Sequence, residues 1–270
     1  MAIQYVDSHA HLYLEAFAED RREMIEIARD AGIVDIYLPH LDRDSIDDLH
    51  ALEAAYPGSC HAMMGLHPCS VGRDVEDQLI TIRKALDARP YVAIGEIGLD
   101  YYWDKTYVEA QKEAFIRQTQ WAHSTGLPIV IHSRESIDDL LDILEKLALP
   151  GLKGVFHCFT GTSSQVSRVL ALEFYMGLGG VTTFRNSKLG PIIAEIPLEA
   201  ILLETDAPYL TPHPYRGKRN ESAYIPLIAK KIAEVKNMPL HEVANITTLN
   251  AHTLFRRSTN QVADPDILPK

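Results

Sequence analysis

The stretch YVDSHAHL, Tyr5 to Leu12, begins as a short apolar run and ends in two histidines one residue apart. On a β-strand, side chains alternate between faces, so His9 and His11 point to one side. A lone His-x-His pair is better explained by a solvent-facing strand end. What turns the reading is whether lone ionisable residues recur at the same place on other strands.

Seven more runs read as strands: IVDIYL (33–38), HAMMGL (61–66), YVAIGEIGL (91–99), LPIVIH (127–132), LKGVFH (152–157), FYMGLG (174–179) and AILLETD (200–206). Each strand but the last is followed after a short link by a helical pattern, as in EDRREMIEIARDAG, with Met24, Ile27 and Ala28 at helical spacing and Gly32 as stop. Parallel strands need helical crossovers, and eight such units close on themselves. The expected fold is therefore α/β, a single (β/α)8 TIM-type barrel. Two further patterns, AYIPLIAKKIAEVKN and LHEVANITTLNAHTLFRR, supply extra C-terminal helices. Residues 1–258 read as one domain and 259–270 as a loosely held tail. A doubly wound open sheet would want a GxGxxG turn after an early strand, and that motif is absent.

The strand ends now carry a pattern. Strand one ends in His9 and His11, strand three in GLHP with His67, strand four in GEIGLD with Glu96, strand five in IVIHSRE with His132, strand six in GVFHCF with His157, and strand eight in LLETDAP with Asp206. In a barrel these ends converge on one mouth, where active sites of this fold are built. Imidazoles and carboxylates buried at the rim of an apolar core are costly unless paired, and a divalent cation pairs them directly. Four of these histidines with the two carboxylates suit zinc, manganese or cobalt, with magnesium admitted by the carboxylates and water. One four-coordinate ion would leave ligands unused, so two divalent ions are expected, bridged by Glu96.

The formal net charge of the 270 residues is −11, which argues against a broad electrostatic footprint for nucleic acid. Two divalent ions against two carboxylates, however, leave a local surplus of about two positive charges that can hold a phosphate. The three cysteines, Cys60, Cys69 and Cys158, lack CxxC spacing and read as reduced thiols. Neither a bilayer-spanning run nor a secretory signal is visible, so a cytoplasmic protein with no membrane partner is expected. No obligate protein partner is inferred.

DSHAHL, GLHP, GEIGLDYYW, IVIHSRE, HCFTG, GLGGVTTFRN, LLETDAPYL and PYRGKRNE, in this order from Asp7 onwards, closely resemble the TatD family of metal-dependent deoxyribonucleases, within the amidohydrolase-like barrels. The resemblance implies one site of His9, His11, Glu96 and Asp206, sharing Glu96 with a second that holds His132 and His157. It implies phosphodiester hydrolysis in DNA, as a 3′ to 5′ exonuclease on single strands or 3′ ends, with RNA as a further substrate. Family sequences usually have proline after RGKRNE where Ser222 stands, a departure expected to affect docking more than chemistry.

Within that reading Glu96 and Asp206 are the catalytic carboxylates, Asp206 orienting the attacking water and accepting its proton. Glu204, on the same strand face, is expected to support a ligating histidine from behind. His67, Arg134, Arg216, Lys218 and Asn220 are the expected substrate contacts, while Arg219 reads as a solvated charge. Tyr101, Tyr102 and Trp103 either stack a base or pack on a neighbouring loop. Two rivals stand beside this: a binuclear hydrolase of another ester or amide, such as an aminoacyl ester or lactone, and a non-catalytic barrel with a closed structural metal site.

Overall fold

The apolar runs form eight parallel strands because each is followed by an amphipathic helix that covers its outer face. The structure is a computed structural model that describes residues 3–256. In chain order the elements are β1 (Tyr5–Asp7), α1 (Arg21–Asp30), β2 (Ile33–Leu38), α2 (Ile46–Ala55), β3 (Cys60–Ala62), α3 (Val75–Ala88), β4 (Ile94–Asp100) and α4 (Val108–Thr125). There follow β5 (Ile129–Arg134), α5 (Ile137–Leu147), β6 (Gly154–Phe156), α6 (Ser163–Ala171), β7 (Tyr175–Leu178), α7 (Leu189–Glu195), β8 (Ile201–Leu203), α8 (Ile225–Lys236) and α9 (Leu240–Leu254). Local chemistry sets several ends: α6 starts at a Thr162–Gln165 capping box, and α4 stops at Gly126, whose φ is +67°.

The strands pair in two ladders, β1-β2-β3 and β4-β5-β6-β7-β8. Backbone bonds just beyond the regular strands join them into a ring. At the β3/β4 seam Met64 N–H donates to Ala93 O and Gly95 N–H to Met64 O, both at 3.2 Å. At the β8/β1 seam Ser8 N–H donates to Leu203 O (2.9 Å), Asp206 N–H to His9 O (2.9 Å) and His11 N–H to Ala207 O (2.7 Å).

Inside the ring lies a cluster with one residue on or beside each strand: Val6, Tyr37, Met63, Ala93, Val130, Val155, Tyr175 and Leu202. Ala251, Leu254 and Phe255 seal it from the N-terminal end, with Phe255 stacked 4.1 Å from Tyr37. A larger cluster fills the space between strands and helices. Strand alternation then lifts the polar layer above the apolar one: His132 is two residues beyond Val130, His157 two beyond Val155, and Glu204 and Asp206 two and four beyond Leu202. On β4 the step from Ala93 to Glu96 is three residues, and the pairing with β5 shifts register between Ile94 and Ile97.

One expectation is corrected. Of the two C-terminal helices only α9 is extra; α8 packs on α7 and against β1 and so completes the ring as the eighth barrel helix. The tail expected at 259–270 lies outside the described residues. Among those residues no helix is long and apolar enough to cross a membrane.

Candidate metal centre

Glu96 is the hub. It lies within β4, which continues past it to Asp100, and its side chain is 2% exposed. Oε2 is 3.1 Å from His9 Nε2 and 3.6 Å from His11 Nε2; Oε1 is 2.8 Å from His132 Nδ1, 2.9 Å from His157 Nε2 and 3.5 Å from His67 Nε2. Asp206 Oδ1 closes the first side, 3.7 Å from His9 Nε2 and 3.5 Å from His11 Nε2. His9 and His11 do face the same spot, with Nε2 atoms 3.2 Å apart, although β1 ends at Asp7 and β8 holds the extension that carries them.

Three sets of donor atoms are close enough to hold an ion: His9, His11 and Asp206; His9, Glu96 and His157; His67, Glu96 and His132. The orientation of the rings fits cations on most of these positions. Tyr13 spends its hydroxyl hydrogen on Pro39 O (2.8 Å), so it accepts from His11 Nδ1 (3.2 Å), leaving a lone pair on Nε2. Asp100 Oδ2 accepts from His132 Nε2 (2.8 Å), which leaves the Nδ1 lone pair facing Glu96. Glu204 Oε1 lies 3.6 Å behind His157 Nδ1 and accepts the Cys158 N–H at 2.5 Å. Buried lone pairs that converge on carboxylate oxygens repel them unless protons or cations intervene.

His67 differs. Its Nδ1 accepts the Cys69 N–H at 3.0 Å, so the neutral ring carries its hydrogen on Nε2, the atom that faces the site. It offers a donor where its neighbours offer lone pairs.

The groups around Glu96 also shift one another's protonation. Burial pushes the Glu96 carboxyl up, but the rings of His157, His9 and His67 and the bond from His132 outweigh it and hold its pKa well below the usual range. His157 goes the other way: against burial, Glu96 and Glu204 raise it well above the usual histidine value. His132 is likewise raised, by Asp100 and Glu96 against burial. Burial, and then the neighbouring His157, lowers His9. Burial also lifts the Cys158 thiol to about 12, in keeping with an inert cysteine.

Sequence reasoning missed three supporting groups. Asp100 ends GEIGLD and backs His132, Tyr13 backs His11, and fully buried Asp7 accepts from Thr205 N–H (2.9 Å) and Thr205 Oγ1 (2.6 Å), tying β1 to the Asp206 turn. Glu204 had a further signal in GLGG: a Cβ on Gly177 would stand 2.1 Å from Glu204 Oε2, so only glycine leaves that carboxylate its place.

The expected substrate contacts divide. Arg134 is exposed, with its guanidinium 4.7 Å over the Tyr102 ring. Arg216 is exposed on the loop after β8, stacked 3.7 Å over Phe184, and Lys218 lies near Tyr215 on the same loop. Asn220 is a correction: it is buried, its Nδ2 donates to Thr205 O (2.7 Å) and Tyr209 O (2.6 Å), and it clamps the turn that carries Asp206. Arg219 is another, since it is no solvated charge but pairs with both oxygens of Asp20 (2.8 and 2.6 Å) over the Phe17 ring. Ser222 is buried at the start of the short turn that leads into α8. Tyr101 is anchored through its hydroxyl on Asp139 (2.7 Å), whereas Tyr102 and Trp103 stand in solvent.

The family model described as "TatD related DNase" matches residues 6–256. The uncharacterised metal-dependent hydrolase YabD of Bacillus subtilis is 40% identical over 251 residues, which cover 93% of this chain and 98% of the relative. The 3′-5′ ssDNA/RNA exonuclease TatD of Pantoea vagans is 34% identical over 259 residues, covering 93% of this chain and 98% of that one. The crystal structure of YjjV, a TatD homologue from Escherichia coli K12, superposes with a TM-score of 0.90 at 31% identity, over 96% of this chain and 100% of the other.

Proposed function

Since the chain belongs to the TatD-related DNase family of metal-dependent hydrolases, we propose that it cleaves phosphodiester bonds in nucleic acid, removing nucleotides 3′ to 5′ from single strands. His9, His11, Glu96 and Asp206 would hold one divalent ion, and Glu96, His132 and His157 a second. The observation that carries this reading is the division of Glu96, one oxygen turned to His9 and His11 and the other to His132 and His157. A relative of nearly equal length named a 3′-5′ ssDNA/RNA exonuclease supports the substrate class. Bound at such a site, divalent ions acidify water and draw charge from a phosphoryl oxygen.

The chain's own groups then have separate tasks. Asp206 is 15% exposed, the most open of the carboxylates, and its turn is held by Asn220 and by the bond from its own N–H to His9 O. Its carboxylate stands where it can accept the proton of an attacking water. His67 presents an N–H that can donate to a non-bridging phosphate oxygen. Arg134, Arg216 and Lys218 offer cations to phosphates further along the strand. Asp100, Tyr13 and Glu204 keep the ligating rings in place.

The test is to strip the protein of metal, restore magnesium, manganese, zinc or cobalt one at a time, and follow end-labelled single- and double-stranded oligonucleotides beside ester and amide reporters. Shortening of single strands from the 3′ end with a divalent ion present, and none without, is the expected result. Turnover of an ester or amide reporter with oligonucleotides untouched would replace the nuclease reading by that of another hydrolase.

A further inference from the structure

Among the described residues seven large hydrophobic side chains stand exposed, and the four aromatic ones, Tyr102, Trp103, Tyr209 and Tyr215, all follow β4 or β8 at the mouth. The others, Ile27, Ile80 and Leu249, are aliphatic and scattered over α1, α3 and α9. Single exposed aliphatics need no explanation. A tryptophan 76% exposed beside a tyrosine 52% exposed forgoes the burial that makes such rings stabilising.

The loop that presents this pair is firmly held. Asp100 Oδ1 accepts the backbone N–H groups of Tyr102 (2.9 Å) and Trp103 (3.0 Å), while Oδ2 accepts from His132. The two rings meet edge to face with centroids 5.0 Å apart, and Arg134, two residues beyond His132 on β5, lies over Tyr102. One carboxylate thus fixes an aromatic pair and a histidine of the metal centre in a single frame. The ordering cost of a binding surface is met here in the folded chain, before any ligand arrives.

We propose that Tyr102, Trp103 and Arg134 form a nucleobase subsite: the exposed indole stacks an unpaired base of the strand whose phosphate lies at the metal centre, and Arg134 meets a neighbouring phosphate. The proposal rests on the phosphodiester reading above and supplies it with a reason for preferring single strands. Bases in a duplex are stacked on one another and have no free face to offer, whereas an unpaired base of any identity has one.

The test uses two phosphorothioate strands of equal length and charge, one of thymidines and one of abasic tetrahydrofuran units. Each is bound to the full chain loaded with manganese and followed by fluorescence anisotropy. The thymidine strand is expected to bind about tenfold more tightly. Trp103→Ala should erase most of that preference, Trp103→Phe restore it, and Arg134→Ala weaken both strands alike. Trp103 is exposed, so these variants do not put folding at stake. Equal binding of the two strands by the wild-type protein, or an undiminished preference in Trp103→Ala, overturns the subsite. Hydrolysis of bis(p-nitrophenyl) phosphate by the same preparation reports on the chemistry separately. Turnover of that ester with equal strand binding would leave the phosphodiesterase reading standing and remove the subsite; a Trp103-dependent preference with no turnover would do the reverse.

Discussion

At its N-terminal end the barrel buries Asp35 between His61 and His252; at its C-terminal end it buries Glu96 among five imidazoles. Asp35 accepts from His61 through one oxygen (2.7 Å) and from His252 of α9 through the other (2.9 Å). Burial lowers the pKa of both rings, His61 to about 4, so they act as neutral donors that stitch α9 to β2 and β3. Around Glu96 the rings outnumber the oxygens, His132 and His157 are pushed toward the cationic form, and loops rather than a helix cover the end. A carboxylate beside histidines is therefore no mark of a metal centre. What sets Glu96 apart is a surplus of imidazoles over the hydrogen bonds one carboxylate can accept.

Glu96→Gln tests the contrast most severely. A neutral amide cannot bridge two cations, so kcat is expected to fall about a hundredfold or more and the bound-ion count to drop. Asp35→Asn in the same assays should lower the denaturant midpoint yet leave kcat per folded molecule unchanged. Equal loss of activity in both variants would break the distinction between the two ends.

Asp100→Ala should have a smaller effect at the same end. Without its bond His132 loses orientation, and ion affinity, read by calorimetric titration, is expected to weaken about tenfold with little change in thermal midpoint. Unaltered affinity would remove Asp100 from the centre.

The smallest effect belongs to the N-terminal end. Because His61 is held below its ordinary pKa of 6.5, the unfolded chain takes up its proton first, and stability falls as pH drops from about 6.5 to about 4. In His61→Asn stability at neutral pH should be lower by about 1 kcal/mol, its decline over that window shallower, and ion binding unaffected. Denaturant titrations at several pH values check the slope.

The strand-helix alternation was legible because period and punctuation are local. The candidate ligands on β5, β6 and β8 were legible for the same reason, since His132, His157 and Asp206 stand an even number of residues beyond an inward apolar side chain. What lay outside such reasoning depended on distant partners. Arg219 and Asp20 are 199 residues apart in the chain and meet only because the loop after β8 returns to the start of α1. Asn220 looked like a docking residue until the Asp206 turn enclosed it. The register shift in β4 and the division of labour between α8 and α9 follow likewise from pairing with neighbouring elements. Residue type and alternation, by themselves, determined which groups line the mouth. Only the tertiary structure decided which lone pair or hydrogen His132 and His157 present, because that depends on the atom behind the ring, and for these two it comes from another strand.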